Sequence, residues 1–353
     1  MAGPIIGEKP ANEGGVNRQA YDAEGKFAGK ESAGGALGGL LSSFDSLLEA
    51  AKIEGFDDRK VLSKVENRKN FDINAADIIS LANFKEIRKE NIKNHKSDFS
   101  FWNPQQLKRL RSIFDDILSK SALCMRIDAE NLKNIVIDGD HFKNQTETGT
   151  SRGAYSTYER SRYSHDTFGS KLKDYETRNR EKFEMEKYGF LNDADLKKGM
   201  MGGIADWYSY DGTYVAFKKE KVQDRVTLTV GDSLDGRRQI PQLISEPMDQ
   251  YVFLPYYSRP YGEKLEFHGS VRDYTRGFDV SYIELQYHGY FDSSDIDYIC
   301  MRQSKTLESA DLIEGAIAKG IKCYTLKNGR VCSIGISNGG IYLTDNETGE
   351  RVI

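Results

Sequence analysis

Cysteine, histidine and proline are scarce in this chain of 353 residues: four, five and seven respectively. Cys124, Cys300, Cys323 and Cys332 form no CxxC pair, and the histidines are scattered. Zinc sites need close ligand pairs, so no metal is expected, and the thiols are expected to be reduced and mostly buried. No apolar run approaches the roughly 20 residues needed to cross a bilayer, so no membrane span is expected. The opening MAGPIIGEKPANEGG lacks a basic stretch followed by an apolar one. It is not a Sec signal, and synthesis in the cytoplasm with any export by another route is expected. A Walker-type phosphate loop and internal repeats are also missing. Neither charge sign dominates: 50 basic and 54 acidic residues leave a net charge of -4. That balance gives no support to bulk nucleic-acid binding, which needs a strong basic field.

What the chain does have is aromatic mass, 20 Tyr and 17 Phe, enough for a core despite 29% charged residues. Residues 1–38, ending GKESAGGALGG, show no period and predict a flexible leader. Residues 39–125 predict a helical region. LLSSFDSLLEAAKI places Leu40, Phe44, Leu47 and Leu48 on one helical face. WNPQQLKRLRSIFDDILSKSAL is the clearest helix, with Asn103 as N-cap, Pro104 at the first position and a stripe of Leu107, Leu110, Ile113, Phe114, Ile117 and Leu118. KEIRKENIKNHKS predicts an exposed basic helix or loop.

The texture changes near residue 126. NIVIDGDHF, GTYVAFKK, RVTLTVGDS, QYVFLPYYS and VSYIELQYHGYF read as short strands broken by turn residues. SKLKDYETRNREKFEMEKYG and SADLIEGAIAK read as helices, the latter with Ser309 as N-cap and Gly320 just beyond its end. Asn328-Gly329 predicts a hairpin turn. Residues 126–353 are therefore expected to form one α+β domain, mainly antiparallel, ending in C-terminal hairpins.

Three stretches could carry chemistry. In YIELQYHG, strand alternation puts Glu284, Gln286 and His288 on one face and Ile283, Leu285 and Tyr287 on the other. In HFKNQTETGTSRG, Lys143, Asn144, Gln145, Glu147, Thr148, Thr150, Ser151 and Arg152 surround two glycines. Small hydroxyls and glycine admit a ligand close to backbone, and Lys or Arg can meet phosphate. The same stretch also reads as an ordinary polar turn. In DRVTLTVGDSL, Thr227 and Thr229 alternate with apolar residues, and Asp232 reads as a turn residue.

NQTETGTSRG, DGTYVAFKKEKVQDRVTLTVGDSL and YIELQYHG, in that order with EKYGFLND between the first two, resemble the ADP-ribosyltransferase-like toxin domains of bacterial polymorphic toxins and phage minor head proteins. The resemblance covers residues 126–302. It implies a helical N-terminal region followed by a mainly antiparallel split-sheet domain. It implies NAD as substrate, a macromolecular acceptor (protein or nucleic acid), and an immunity or delivery partner. It also implies association with a virion or delivery into a target cell. The family places an Arg or His on a first strand, small hydroxyls on a second and a catalytic Glu on a late one. Here that suggests Arg126 or Arg152, Thr150 and Ser151 or Thr227 and Thr229, and Glu284 or Gln286. The chain departs from the family's Glu-x-Glu or Gln-x-Glu by reading Glu-Leu-Gln.

The chemistry tolerates one carboxylate. Cleaving the nicotinamide–ribose bond passes through an oxocarbenium-like state, as in glycoside cleavage. Nicotinamide leaves as a neutral molecule, so no general acid is required. Two other readings stand beside this one: a metal-independent nuclease using His288, Glu284 and Lys143, and a non-enzymatic phage or host-interaction protein that keeps the fold.

Overall fold

The computed structural model describes residues 81, 84–95, 102–148, 168, 185–201, 212–233, 241–248, 269–278, 280–337 and 339–352. All belong to one compact unit spanning 73–353. The leader, the helix expected around Leu40–Leu48, the strand expected at QYVFLPYYS and most of the helix expected near SKLKDYETRNREKFEM lie outside the described residues.

α1 (Phe84–His95) and α2 (Pro104–Ser119) come first. α2 starts where the Asn103 side chain accepts a hydrogen bond from the Gln106 amide while the Gln106 side-chain oxygen accepts one from the Asn103 amide. That reciprocal cap satisfies two of the donors every helix start leaves open. Leu110, Phe114, Ile117 and Leu118 are buried, and Phe114 meets Tyr274 edge-on at 5.2 Å. Each such side chain contributes about 2 kcal/mol on leaving water.

β1 (Ser121–Arg126) follows at once. The boundary expected between residues 125 and 126 therefore falls inside a strand, and α2 shares the core of the sheet it precedes. NIVIDGDHF is a correction. Its first half ends α3 (Ala129–Val136), which starts at an Asp128 cap and buries Leu132, Ile135 and Val136. Three apolar residues at helical spacing outweigh the run of β-branched Ile135, Val136 and Ile137 that suggested a strand.

The remaining elements are α4 (Gln145–Thr148), β2 (Lys187–Asp193), α5 (Leu196–Met201), β3 (Tyr214–Phe217), α6 (Lys219–Val222), β4 (Val226–Val230), β5 (Gln242–Leu243), α7 (Val271–Gly277), β6 (Ile283–Tyr287), β7 (Ile296–Met301), α8 (Gln303–Glu308), α9 (Ala310–Ala318), β8 (Lys322–Lys327), β9 (Arg330–Ser337) and β10 (Gly340–Asp345). β2 begins at Lys187, inside the tail of the segment expected to be helical. The ten strands form one sheet in the order β10-β9-β8-β7-β3-β1-β2-β6-β4-β5. The resemblance implies a split sheet; the described strands join a single ladder. Among the described strands every neighbour pair is antiparallel except β7–β8, which needs the α8–α9 crossover to return the chain in the same direction.

The two faces differ. Leu123, Val215, Phe217, Leu228, Ile283, Leu285, Tyr287 and Ile299 join the main core with buried side chains of α2, α3, α7 and α9. The other face holds Cys124, Phe190, Tyr214, Ala216, Tyr298 and Cys300 in a smaller cluster. All four cysteines are free and buried, and burial pushes the Cys323 thiol up to about 12. At the Asn328-Gly329 turn between β8 and β9 both residues have positive φ, 51° and 72°, as the tight hairpin requires. Among the described residues, no helix is long and apolar enough to cross a membrane.

Candidate functional site

β6 lies between β2 and β4, pairing Glu284 with Phe190 and Thr229, and Gln286 with Tyr188 and Thr227. Residues paired directly across antiparallel strands share a face. The smaller-cluster face of the sheet therefore carries Glu284, Gln286, Thr227 and Thr229 together. Glu284 is 1% exposed, and Gln286 and His288 are 0% exposed.

Burial of so many polar groups requires a closed hydrogen-bond network, and one is present. Glu284 Oε1 accepts from Ser233 Oγ and, at 2.9 Å, from Gln286 Nε2. Its Oε2 accepts from the Tyr282 hydroxyl at 3.1 Å. Gln286 Nε2 also donates to Thr229 Oγ1 at 3.1 Å, and Thr229 Oγ1 donates to Gly231 O at 3.3 Å. A carboxylate only accepts, so the amide must turn its NH2 toward Glu284 and its oxygen toward Thr227. Thr227 Oγ1 donates to that oxygen at 2.8 Å. A hydroxyl has one proton, so Thr227 can only accept from His288 Nε2, 3.0 Å away. The network thus assigns His288 its Nε2–H tautomer. Burial, reinforced by the charge of Lys187, pushes the imidazole down to about 3, so it is neutral at pH 7. Burial first, and then the charge of Glu284, hold the Tyr282 phenol far above its ordinary value, so it stays a donor.

Local backbone explains why Ser233 reaches Glu284. Gly231, at φ 99°, turns the chain as β4 ends, and its amide donates to Tyr282 O at 3.0 Å. The turn brings Asp232 and Ser233 back beside the start of β6. Two strands away, Arg126 ends β1 on the same face, its guanidinium 5.1 Å from the centre of the Phe190 ring. Phe190 in turn stands directly opposite Glu284.

The 141–148 stretch sits elsewhere. His141 stacks on Tyr290 at 5.3 Å, and the Phe142 amide donates to Phe291 O at 2.9 Å. That places the stretch beyond the C-terminal end of β6, the end remote from Glu284. Asn144 and Glu147 cap α4 reciprocally: the Glu147 amide donates to Asn144 Oδ1 at 3.1 Å, and the Asn144 amide to Glu147 Oε2 at 2.9 Å. Glu147 Oε1 is also 2.6 Å from His141 Nε2. Gln145 is buried, and Lys143 is exposed and paired with Asp140 at 2.6 Å. These contacts give Asn144 and Glu147 structural work. Thr150, Ser151 and Arg152 lie outside the described residues. Sequence reading missed Ser233 and Tyr282. Tyr282 was accessible, since extending the alternation one step back from Glu284 reaches it. Ser233 carried no periodic signal, because a glycine turn separates it from its strand.

No protein-family model and no curated protein matches this chain.

Proposed function

We propose that the chain uses NAD, transferring ADP-ribose to a macromolecule or hydrolysing the dinucleotide, with Glu284 as the catalytic carboxylate. One observation carries this reading: Arg126, Thr227, Thr229 and Glu284 share one face of the sheet across β1, β4 and β6. The chemistry calls for those groups. Arg126 is the phosphate-binding candidate, since guanidinium meets phosphate bidentately. Glu284 faces the positive charge that grows on the ribose as nicotinamide departs, and such preorganised electrostatics supplies a few kcal/mol. Gln286 holds that carboxylate by hydrogen bonding rather than taking the second carboxylate role.

A second reading, a non-enzymatic phage or host-interaction protein that keeps the fold, is favoured by a different fact. Glu284 already has protein donors on both oxygens and is 1% exposed. The nuclease reading draws less support, because Lys143 is exposed and committed to Asp140.

The test is incubation of the full chain with NAD labelled on the adenylate, in a cell lysate. Label on a macromolecule, lost in Glu284→Gln, supports transfer. Loss of RNA without NAD supports the nuclease. Free labelled ADP-ribose, lost in Glu284→Gln, supports hydrolysis. The absence of all these outcomes in the wild-type chain supports the non-enzymatic protein.

A further inference from the structure

The polar face of β4 and β6 is covered, and the cover can be named. Leu81, Phe84, Phe168 and Leu243 form an apolar cluster separate from the main core. Leu243 pairs with Thr227 across β4 and β5, so it stands on the polar face. The Phe168 ring meets the His288 ring edge-on at 4.6 Å, and Phe84 lies 5.4 Å from Phe168. Phe84 opens α1, and that helix reaches around the edge of the sheet. Arg88 donates to Gln242 Oε1 on β5 at 2.7 Å, and Lys85 pairs with Glu246 at 2.8 Å. Along α1, Lys85, Glu86, Lys89 and Glu90 are exposed, Ile87 is half-buried, and Ile92, two turns beyond Phe84, packs against the main core.

We propose that the first turn of α1, acting through Phe84 and its contact with Phe168, is a removable cover over the polar face, so that this structure is the closed form of the site. The proposal rests on the reading of that face as the substrate-binding surface. The first turn of α1, held by this small satellite cluster and by surface polar contacts, frays at lower cost than the part anchored to the main core through Ile92. The site needs such an opening: a dinucleotide cannot reach a carboxylate that is 1% exposed. The partner implied is whatever draws α1 away from β5, either the substrate itself or a protein that binds the helix.

Reactivity of His288 measures the cover without reference to NAD. Diethyl pyrocarbonate acylates neutral imidazole, and mass spectrometry of the digested full chain reads each histidine separately. Phe84→Ala and Arg88→Glu are each expected to raise the acylation rate of His288 about tenfold, the effect of a tenfold larger open population. His141, beneath Tyr290, serves as the internal reference and is expected to keep its rate. If Phe84→Ala loses cooperative unfolding, Arg88→Glu, whose side chain is only half-buried, carries the test. An unchanged His288 rate in folded Arg88→Glu overturns the cover. A raised rate without nicotinamide release from NAD keeps the cover and removes the NAD reading. A raised rate with faster nicotinamide release supports both.

Discussion

Lowering the pH should attack this fold through His288. The imidazole is wholly buried and donates to Thr227, and its surroundings push it down to about 3. In the unfolded chain it titrates near 6.5. The folded state thus resists protonation that the unfolded state accepts. Stability is full above about pH 6.5 and falls as pH drops toward 3, by about 1.4 kcal/mol per unit. Between pH 7 and pH 5 the expected loss from this one group is about 2 kcal/mol. The assay is urea unfolding followed by circular dichroism at pH 7, 6 and 5, on the wild-type chain and on His288→Gln. The variant keeps an amide donor but cannot titrate. It should be less stable than wild type at pH 7, with the gap shrinking by about 2 kcal/mol at pH 5. A gap that stays constant over this range would show that His288 is solvated or charged in the folded protein, and the buried network would be wrong.

Other substitutions probe the same frame. Gln286→Glu sets a carboxylate where an amide donates to Glu284 at 2.9 Å, so it should cost about 3–5 kcal/mol at pH 8. Shared protonation of the two carboxyls should make the cost smaller at pH 5 in the same urea assay. Gly189→Ala would put a Cβ 2.2 Å from Cys124 O and 2.6 Å from a Tyr287 ring carbon, and about 3 kcal/mol of destabilisation is expected. Arg225→Met would leave Asp295 buried without its 3.2 Å ion pair, at a cost of about 3 kcal/mol. Much of that should return in Arg225→Met with Asp295→Leu, and thermal denaturation of the single and double variants reads both effects.

The elements legible in the sequence were those whose own residues decide them. α2 carries its cap, its proline and its apolar stripe within 17 residues, and β6 shows its two faces by alternation alone. α9 and the β8–β9 turn are marked by Gly320 and Asn328-Gly329. What could not be read depends on pairing between distant segments. The helix α3 was mistaken for a strand because three β-branched residues, Ile135, Val136 and Ile137, sit at its end. The boundary at 125/126 failed because the α2 stripe is buried by the sheet that follows it, which no local pattern announces. For the site, alternation brought Glu284, Gln286 and His288 together correctly. It could not show that β4 would lie beside β6 and supply Thr227 and Thr229 at matching positions. Nor could it show that Lys143, Asn144 and Glu147 would be taken up at the other end of β6.

The central claim is that Glu284 does chemistry on a dinucleotide. Its most direct measurement is free nicotinamide released from NAD by the purified full chain, wild type against Glu284→Gln, with both shown to be folded by cooperative urea unfolding. The account predicts release by wild type, and loss of at least two orders of magnitude in the variant, about 3 kcal/mol of electrostatic stabilisation. Equal release by the two folded proteins would contradict it, as would no release either from wild type or from an Arg88→Glu variant whose His288 is exposed.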